Sequence, residues 1–255
     1  MSRVVVVGAS SGLGRCIGVG LGRRGDRVAL LARRVDLLAS AADRAGPDSF
    51  AVACDVTDEH SCREAVAAAA ERLGGLDAVV YCVGLGVLAP VEELRSDEWE
   101  LAFATNVVGA STVTAAALPH LRRSRGTVAY LSSVSASLTP PWPGLAAYTV
   151  TKAALDKLVE AWRAEHPEVG FTRVVVGDCA GGEGDAASQL AAGWDPDTFA
   201  GYLSVWAGRG LLDGHLLDVE ELVEVLRVLV CSGGTATVPT VAVTPRATAA
   251  GPHGR

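Results

Sequence analysis

The stretch from Val4 to Gly14, VVVVGASSGLG, constrains this chain more than any other. Four consecutive valines read as a fully buried strand, and the glycines after them turn it abruptly into a helix over Arg15 to Arg24. Gly8, Gly12 and Gly14 lack the Cβ atoms that hold a diphosphate away from such a turn, and the helix they open points unsatisfied N–H groups at it. With Ser10, Ser11 and Leu13 between the glycines, the stretch reads as the phosphate cradle of a mononucleotide-binding unit. A glycine trio on its own also suits a purely structural strand-to-helix turn; its place directly behind a hydrophobic strand favours the cradle.

Strand and helix alternate along the rest of the chain. Short apolar strands are expected at Val4–Val7, Arg27–Ala32, Ser49–Cys54, Ala78–Cys82, Thr127–Ser132, Thr172–Val176 and Thr237–Val243. Helical stretches lie between them, including Ser61–Leu73, Trp99–Leu121 and an amphipathic Val219–Val230. That order implies an α/β fold, a parallel sheet with helices on both faces and ligands at the carboxyl ends of its strands. No repeat or linker interrupts it, so one domain over residues 1–246 is expected, with a flexible tail at 247–255.

The 255 residues, 49% hydrophobic and 20% charged, are enough for a large core. A net charge of −7 without a clustered basic face argues against nucleic acid or an anionic membrane as partner. Glycine breaks the apolar opening after Val7, so no signal peptide is expected, and no apolar run approaches membrane-spanning length. A cytoplasmic protein follows from that reading. The six cysteines form no C-x-x-C pair and the five histidines show no ligand spacing, so neither a disulfide framework nor a metal site is expected.

The strand ends carry the chemistry. After Ala32 come Arg33 and Arg34, where an acidic residue selects a ribose 2′-hydroxyl and arginine suits a 2′-phosphate. NADP(H) is therefore favoured over NAD(H), with a solvated arginine pair and an acidic Asp36 as the competing reading. Asp55-Val56 closes the third strand, where Asp55 is suited to an adenine amino group and Thr57 or Asp58 to capping the next helix. Gly84, after the fourth strand, lets a ligand approach. Asn106 is a polar residue within a run of small and apolar ones, either exposed or bonded internally to backbone or water.

Ser133 ends the fifth strand, and Tyr148 and Lys152 stand four apart, on one face of a helix. Tyrosine titrates at about 10 and lysine at about 10.4, so neither does acid–base work near neutrality unaided. An adjacent ammonium stabilises a phenolate, so Lys152 is expected to lower the pKa of Tyr148 while Ser133 orients a substrate oxygen. Alone, Tyr-x-x-x-Lys is usually an exposed helix pair. Downstream of a phosphate cradle and a strand-end serine it reads as a hydride-transfer site.

Taken together, Gly8-x-x-x-Gly12-x-Gly14, Asp55-Val56, Asn106, Ser133 and Tyr148-x-x-x-Lys152 resemble the short-chain dehydrogenase/reductase family over roughly residues 1 to 235. The resemblance implies a Rossmann-type doubly wound, seven-stranded sheet. It also implies Tyr148 as general acid/base, Lys152 binding the nicotinamide ribose, Ser133 positioning the carbonyl and Asn106 supporting a proton relay. Homodimers or homotetramers are common in the family. Two of its motifs are replaced: Asn-Asn-Ala-Gly by Tyr81-Cys82-Val83-Gly84, and Pro-Gly by Gly177-Asp178-Cys179-Ala180. The loop from Ser133 to Tyr148 is about two residues longer than usual, which makes Ser135 a rival for the serine role.

Beyond the sixth strand, a lid over about 180–215 carries Trp194, Phe199, Tyr202 and Trp206, and Trp142 faces it from the opposite loop. These aromatics point either to a bulky apolar carbonyl or alcohol substrate, or to packing in the core or at an interface. The expected activity is interconversion of a carbonyl and a secondary alcohol with NADP(H). The alternative is a catalytically silent nucleotide-binding regulator of the same fold. A sugar-nucleotide epimerase is disfavoured because the chain is too short for the extra substrate domain.

Overall fold

The β-branched runs form the strands expected of them. In the computed structural model, which describes residues 1–181, 190–191, 193–212, 214–231 and 235–246, the first six strands are β1 (Arg3–Val7), β2 (Arg27–Ala32), β3 (Phe50–Ala53), β4 (Ala78–Tyr81), β5 (Thr127–Ser133) and β6 (Gly170–Val176). A short pair, β7 (Cys179–Ala180) and β8 (Leu217–Asp218), precedes β9 (Thr240–Val243). Seven strands make one sheet in the order β3-β2-β1-β4-β5-β6-β9, parallel throughout, while β7 and β8 pair apart from it.

This is the doubly wound, Rossmann-type arrangement. The chain builds outward from β1 to β3, then returns to lay β4 on the other side of β1, with Val4 opposite both Val28 and Ala78. Strand order reverses there, and the crevice at the carboxyl ends of β1 and β4 is where such sheets bind ligands.

Alternation along β1 divides the core into two layers. Val4 and Val6 pack with Ile17, Leu38 and Leu226 beneath α1 (Gly12–Arg23), α2 (Val35–Ala45) and α9 (Val219–Cys231). Val5 and Val7 face Val66, Val113 and Leu155 beneath α3 (Glu59–Leu73), α5 (Gly109–Ser124) and α7 (Ala146–Glu165). The remaining helices are α4 (Ser96–Phe103), the four-residue α6 (Val134–Ser137) and α8 (Pro196–Gly208).

Three local expectations change. The single helix over Trp99–Leu121 is a rod from Ser96 to Ser124, interrupted by a π-helical turn at Ala104–Val108 with buried Asn106 inside it. An 18-residue window of this 29-residue rod has a mean hydropathy of 1.5, long and apolar enough by length and composition to cross a bilayer, and 39% of that window is buried inside the protein. A search for apolar runs misses it because Thr105, Asn106, Ser111, Thr112 and Thr114 interrupt the run; in the helix Thr112 bonds the Val108 carbonyl and Thr114 that of Ala110. β9 starts at Thr240, not Thr237, since Pro239 has no N–H to give a neighbouring strand. The tail at 247–255 lies outside the described residues.

Candidate active site

The glycine turn is built by backbone that side chains would obstruct. Gly8 and Gly12 take positive φ of 86° and 54°, in the left-handed region. A Cβ on Gly14 would lie 2.3 Å from the Gly8 carbonyl oxygen, so only glycine lets α1 start this close to β1. Ser11, at the N-cap, makes no side-chain cap bond, and the first turn holds no acidic residue. The helix start therefore keeps its positive end available to an anion. Gly181 crosses it from beyond β6, and a Cβ there would lie 3.0 Å from the Leu13 nitrogen.

The two arginines after β2 behave differently. Arg34 reaches back across the turn, donating to the Ser10 hydroxyl at 2.8 Å and the Ser11 hydroxyl at 2.5 Å. Arg33 is exposed at the rim of the cleft, near Asp55. Asp36 stands exposed in the first turn of α2. The Asp55 carboxylate accepts from the Thr57 N–H at 3.0 Å and the Thr57 hydroxyl at 2.7 Å. Burial pushes its pKa up, but these two bonds and the Arg33 charge outweigh it, and the net direction is down. Asp58, rather than Thr57, caps α3.

Asn106 is fully buried, and its amide is committed to protein. Its oxygen accepts the Leu85 N–H at 2.8 Å; its nitrogen donates to the Leu85 carbonyl at 3.0 Å and to the Thr151 hydroxyl at 2.8 Å. Both amide hydrogens are used, so the side chain ties the loop after β4 to α7 rather than donating to a water chain.

Tyr148, Lys152 and Ser133 meet at one end of the cleft. The Lys152 ammonium lies 5.8 Å from the centre of the Tyr148 ring and donates to the Leu131 carbonyl at 2.7 Å and the Val83 carbonyl at 3.2 Å. Burial pushes its pKa down to about 8, against the opposing pull of Cys82 and Asp156. Tyr148 is raised above the ordinary phenol value by burial, and a hydrogen bond with Ser133 works the other way. The Ser133 hydrogen bond thus offsets part of the burial of Tyr148, while the Lys152 ammonium gives two of its hydrogens to backbone carbonyls. Ser135 is buried behind Ser133 and bonded to it at 3.0 Å, so Ser133 is the serine that faces Tyr148.

The replaced motifs are packed, not open. Tyr81 is buried with its hydroxyl on the Thr105 carbonyl at 2.7 Å, and a Cβ at Gly14 would meet the Cys82 Cβ at 3.1 Å. Burial raises the Cys82 thiol to about 12. Gly84 is exposed beside Lys152 and Tyr148. After β6, the Asp178 carbonyl accepts the Leu217 N–H at 2.8 Å, and the β7–β8 pairing supports this segment in place of Pro-Gly.

The aromatics expected of a lid form a packed cluster around Trp206, which is 3% exposed. Trp142, Phe199 and Tyr202 lie 5.3, 6.0 and 6.1 Å from its ring. Its indole N–H donates to the Pro143 carbonyl at 2.8 Å, and that of Trp194 to Gly86 at 2.9 Å. Among the described members of the group only Trp142 lines the cleft. The others clamp α8 onto the loops after β4 and β5.

The glycine turn, Arg33, Arg34, Asp55, Val56, Gly84, Ser133, Tyr148 and Lys152 border one cleft of about 510 Å³, which Asn106 does not reach. Its phosphate-seeking donors lie at one end and its phenol at the other, which suits an extended dinucleotide with room for a substrate. Thr105, Leu145, Cys179 and Leu190 also line it without having been marked by sequence. Topology alone brings them there, and no local pattern distinguishes them from core or loop residues.

A family model described as short chain dehydrogenase matches residues 2–189. The chain is similar to 11-beta-hydroxysteroid dehydrogenase A of Sesamum indicum, 34% identical over 180 residues, 68% of this chain and 51% of that protein. It is 33% identical over 163 residues to gluconate 5-dehydrogenase of Gluconobacter oxydans (strain 621H), 62% of this chain and 63% of that protein. The chain thus spans about half the length of the first of these relatives and under two thirds of the second. Among solved structures, alcohol dehydrogenase from the archaeon Thermococcus sibiricus, complexed with 5-hydroxy-NADP, superposes with a TM-score of 0.77 at 27% identity, covering 94% of each chain. A short-chain type dehydrogenase/reductase from Mycobacterium ulcerans gives a TM-score of 0.79 at 26% identity, covering 94% of this chain and 87% of that one.

Proposed function

This chain belongs to the short-chain dehydrogenase family, and from that premise we propose that it is an NADP(H)-dependent oxidoreductase that interconverts a carbonyl and a secondary alcohol. The observation that carries this reading is the meeting of Tyr148, Ser133 and Lys152 in the same cleft as the glycine turn. A silent nucleotide-binding regulator would have no need of that trio.

Asp55 and Val56 would hold the adenine end of the cofactor, Arg33 and Arg34 with the Ser10 and Ser11 hydroxyls its 2′-phosphate, and Gly8, Gly12, Leu13 and Gly14 its diphosphate. The relative from Thermococcus sibiricus was solved with 5-hydroxy-NADP and a fold neighbour from Brucella melitensis with NADH, so the preference for the phosphorylated form rests on Arg33 and Arg34, with NAD(H) the alternative. When bound, the nicotinamide supplies or removes a hydride. Every other task falls to the protein. Gly84 gives the nicotinamide side of the cleft a close approach. Ser133 donates to the substrate oxygen and orients it, and Tyr148 gives that oxygen its proton in reduction or takes it in oxidation. Lys152, with two hydrogens on the Leu131 and Val83 carbonyls, keeps its third for the ribose. Asn106 acts by holding the Leu85 loop against α7.

Trp142, Leu145 and Leu190 favour a bulky apolar substrate. Residues 1–246 work as one domain with a lid over about 180–215, of which 182–189, 192 and 213 lie outside the described residues. We expect a cytoplasmic homodimer or homotetramer.

Titration of the protein with NADPH and NADH, followed by nicotinamide fluorescence with Arg33→Asp alongside, tests the cofactor half. Tighter NADPH binding that is lost in the variant is expected. Equal affinity for both cofactors, unchanged in Arg33→Asp, would remove the arginine assignment, and no binding of either would remove the enzyme.

A further inference from the structure

Behind Ser133 stands a short line of hydroxyls outside the set already assigned. Thr149, next to Tyr148 on α7, donates its hydroxyl to Ser135 at 3.4 Å. Ser135, in α6, has its hydroxyl 3.0 Å from that of Ser133, and its N–H donates to the same Ser133 oxygen at 3.3 Å. Thr149 is 6% exposed and Ser135 4%, so solvent does not readily compete for either hydroxyl.

Either hydroxyl of the Ser133–Ser135 pair can be the donor, and Ser135 accepts from Thr149. In the arrangement that serves the site, Ser135 passes its hydrogen on to Ser133. Ser133 then accepts twice, from the Ser135 hydroxyl and the Ser135 N–H, and a hydroxyl oxygen has two lone pairs. Its own hydrogen is thereby left to point into the cleft, toward Tyr148.

We propose that Thr149 and Ser135 are positioning residues that fix Ser133 as a hydrogen-bond donor to the reacting oxygen. A Ser133 free to rotate spends part of its time donating to Ser135, and in those orientations its one hydrogen is lost to the Tyr148 oxygen in the empty site, or to the substrate oxygen when substrate is bound. The line thus preorganises a dipole that would otherwise have to reorient during the reaction. It lends support to the phenolate of Tyr148 through the Ser133 bond. Among the described residues, Lys152 on its own helix, Cys82 at the end of β4 and Asp178 beyond β6 line the same cleft as Tyr148; none of them is altered by changing Thr149 or Ser135.

The proposal rests on the oxidoreductase reading, and two measurements separate their failures. The first needs no turnover. The chain has four tyrosines, so NMR of isotope-labelled tyrosine, with Tyr148→Phe to assign the signal, follows the Tyr148 titration directly. Thr149→Val keeps the shape of the side chain and removes its hydroxyl. Its Tyr148 midpoint should move to higher pH, Ser135→Ala should move it the same way, and Thr149→Ser should restore it. The second is steady-state kinetics on an apolar ketone: each hydroxyl-less variant should lose about five- to tenfold in kcat, the effect of one hydrogen bond, with KM and the NADPH Kd unchanged. A Tyr148 midpoint that stays in place in both variants overturns the hydroxyl line even if kcat falls. A midpoint that moves in the variants while the wild-type protein shows no turnover upholds the line and contradicts the oxidoreductase reading alone. Should Thr149→Val fail to fold, Ser135→Ala and Thr149→Ser carry the same comparison.

Discussion

The Lys152 ammonium donates to the Leu131 carbonyl at 2.7 Å in a place where only 3% of the lysine is exposed. Burial drives its pKa down to about 8 from 10.5. Between those values the unfolded chain binds more protons than the folded one, so folding stability rises with pH across that window, and the full cost is present below about 8. Lys152→Met should therefore be more stable than wild type at neutral pH, by about 1–3 kcal/mol after the loss of two carbonyl partners. The gap should close as pH rises toward 10. Urea unfolding at both ends of the window checks this, and a constant gap would refute the buried charge.

Asp156 stands one turn beyond Lys152 on α7 and pairs with Arg173 at 3.3 Å. Its negative charge raises the Lys152 pKa against burial. Asp156→Asn should move the alkaline limb of the kcat profile to lower pH by about half a unit or more, since removing an anion disfavours the ammonium. An alkaline limb that stays where it is would detach Asp156 from Lys152.

Gly14 and Gly84 make opposite forecasts. Alanine at 14 would press its Cβ to within 2.3 Å of the Gly8 oxygen and 2.9 Å of the Gly8 carbonyl carbon, which is backbone and cannot swing away. Gly14→Ala should cost about 2–3 kcal/mol or more and abolish NADPH binding. At Gly84 the nearest atom is the Lys152 Nζ at 3.6 Å, an ordinary contact, and Gly84→Ala should unfold within about 0.5 kcal/mol of wild type. Chemical unfolding of the two variants side by side separates them.

Trp206 anchors α8 through its indole N–H on the Pro143 carbonyl at 2.8 Å. Trp206→Phe keeps an aromatic ring in the cluster and loses the bond, at a cost of about 1 kcal/mol. Because Trp206 packs against Trp142, which lines the cleft, the variant should raise KM for an apolar ketone severalfold and leave the NADPH Kd unchanged. A fall in kcat with KM intact would mean that the cluster serves chemistry, not substrate seating.

What was legible in the sequence was what depends on near neighbours in the chain. The glycine turn announces itself because Gly8, Gly12 and Gly14 answer local demands of backbone, and Tyr148 and Lys152 because four residues make one helical face. Valine runs declare strands for the same reason. The π-helical turn at Asn106 was hidden, since it is stabilised from Leu85 and Thr151, 21 and 45 residues away. So were the use of the lid tryptophans as clamps on Gly86 and Pro143 and the Thr149–Ser135–Ser133 line, which joins a strand end to a helix across the long loop. Burial of Lys152, which decides its charge behaviour, is a property of the whole sheet and of no short segment.

The most direct test of the account is the rate of NADPH oxidation with a panel of apolar ketones, wild type against Tyr148→Phe, each first shown to bind NADPH. Removing one phenolic oxygen removes the proton donor and little else, so the account predicts turnover by wild type and a loss of about a hundredfold or more in Tyr148→Phe with NADPH affinity preserved. Undiminished turnover in Tyr148→Phe, or a wild-type protein that binds NADPH and reduces nothing on the panel, would contradict it.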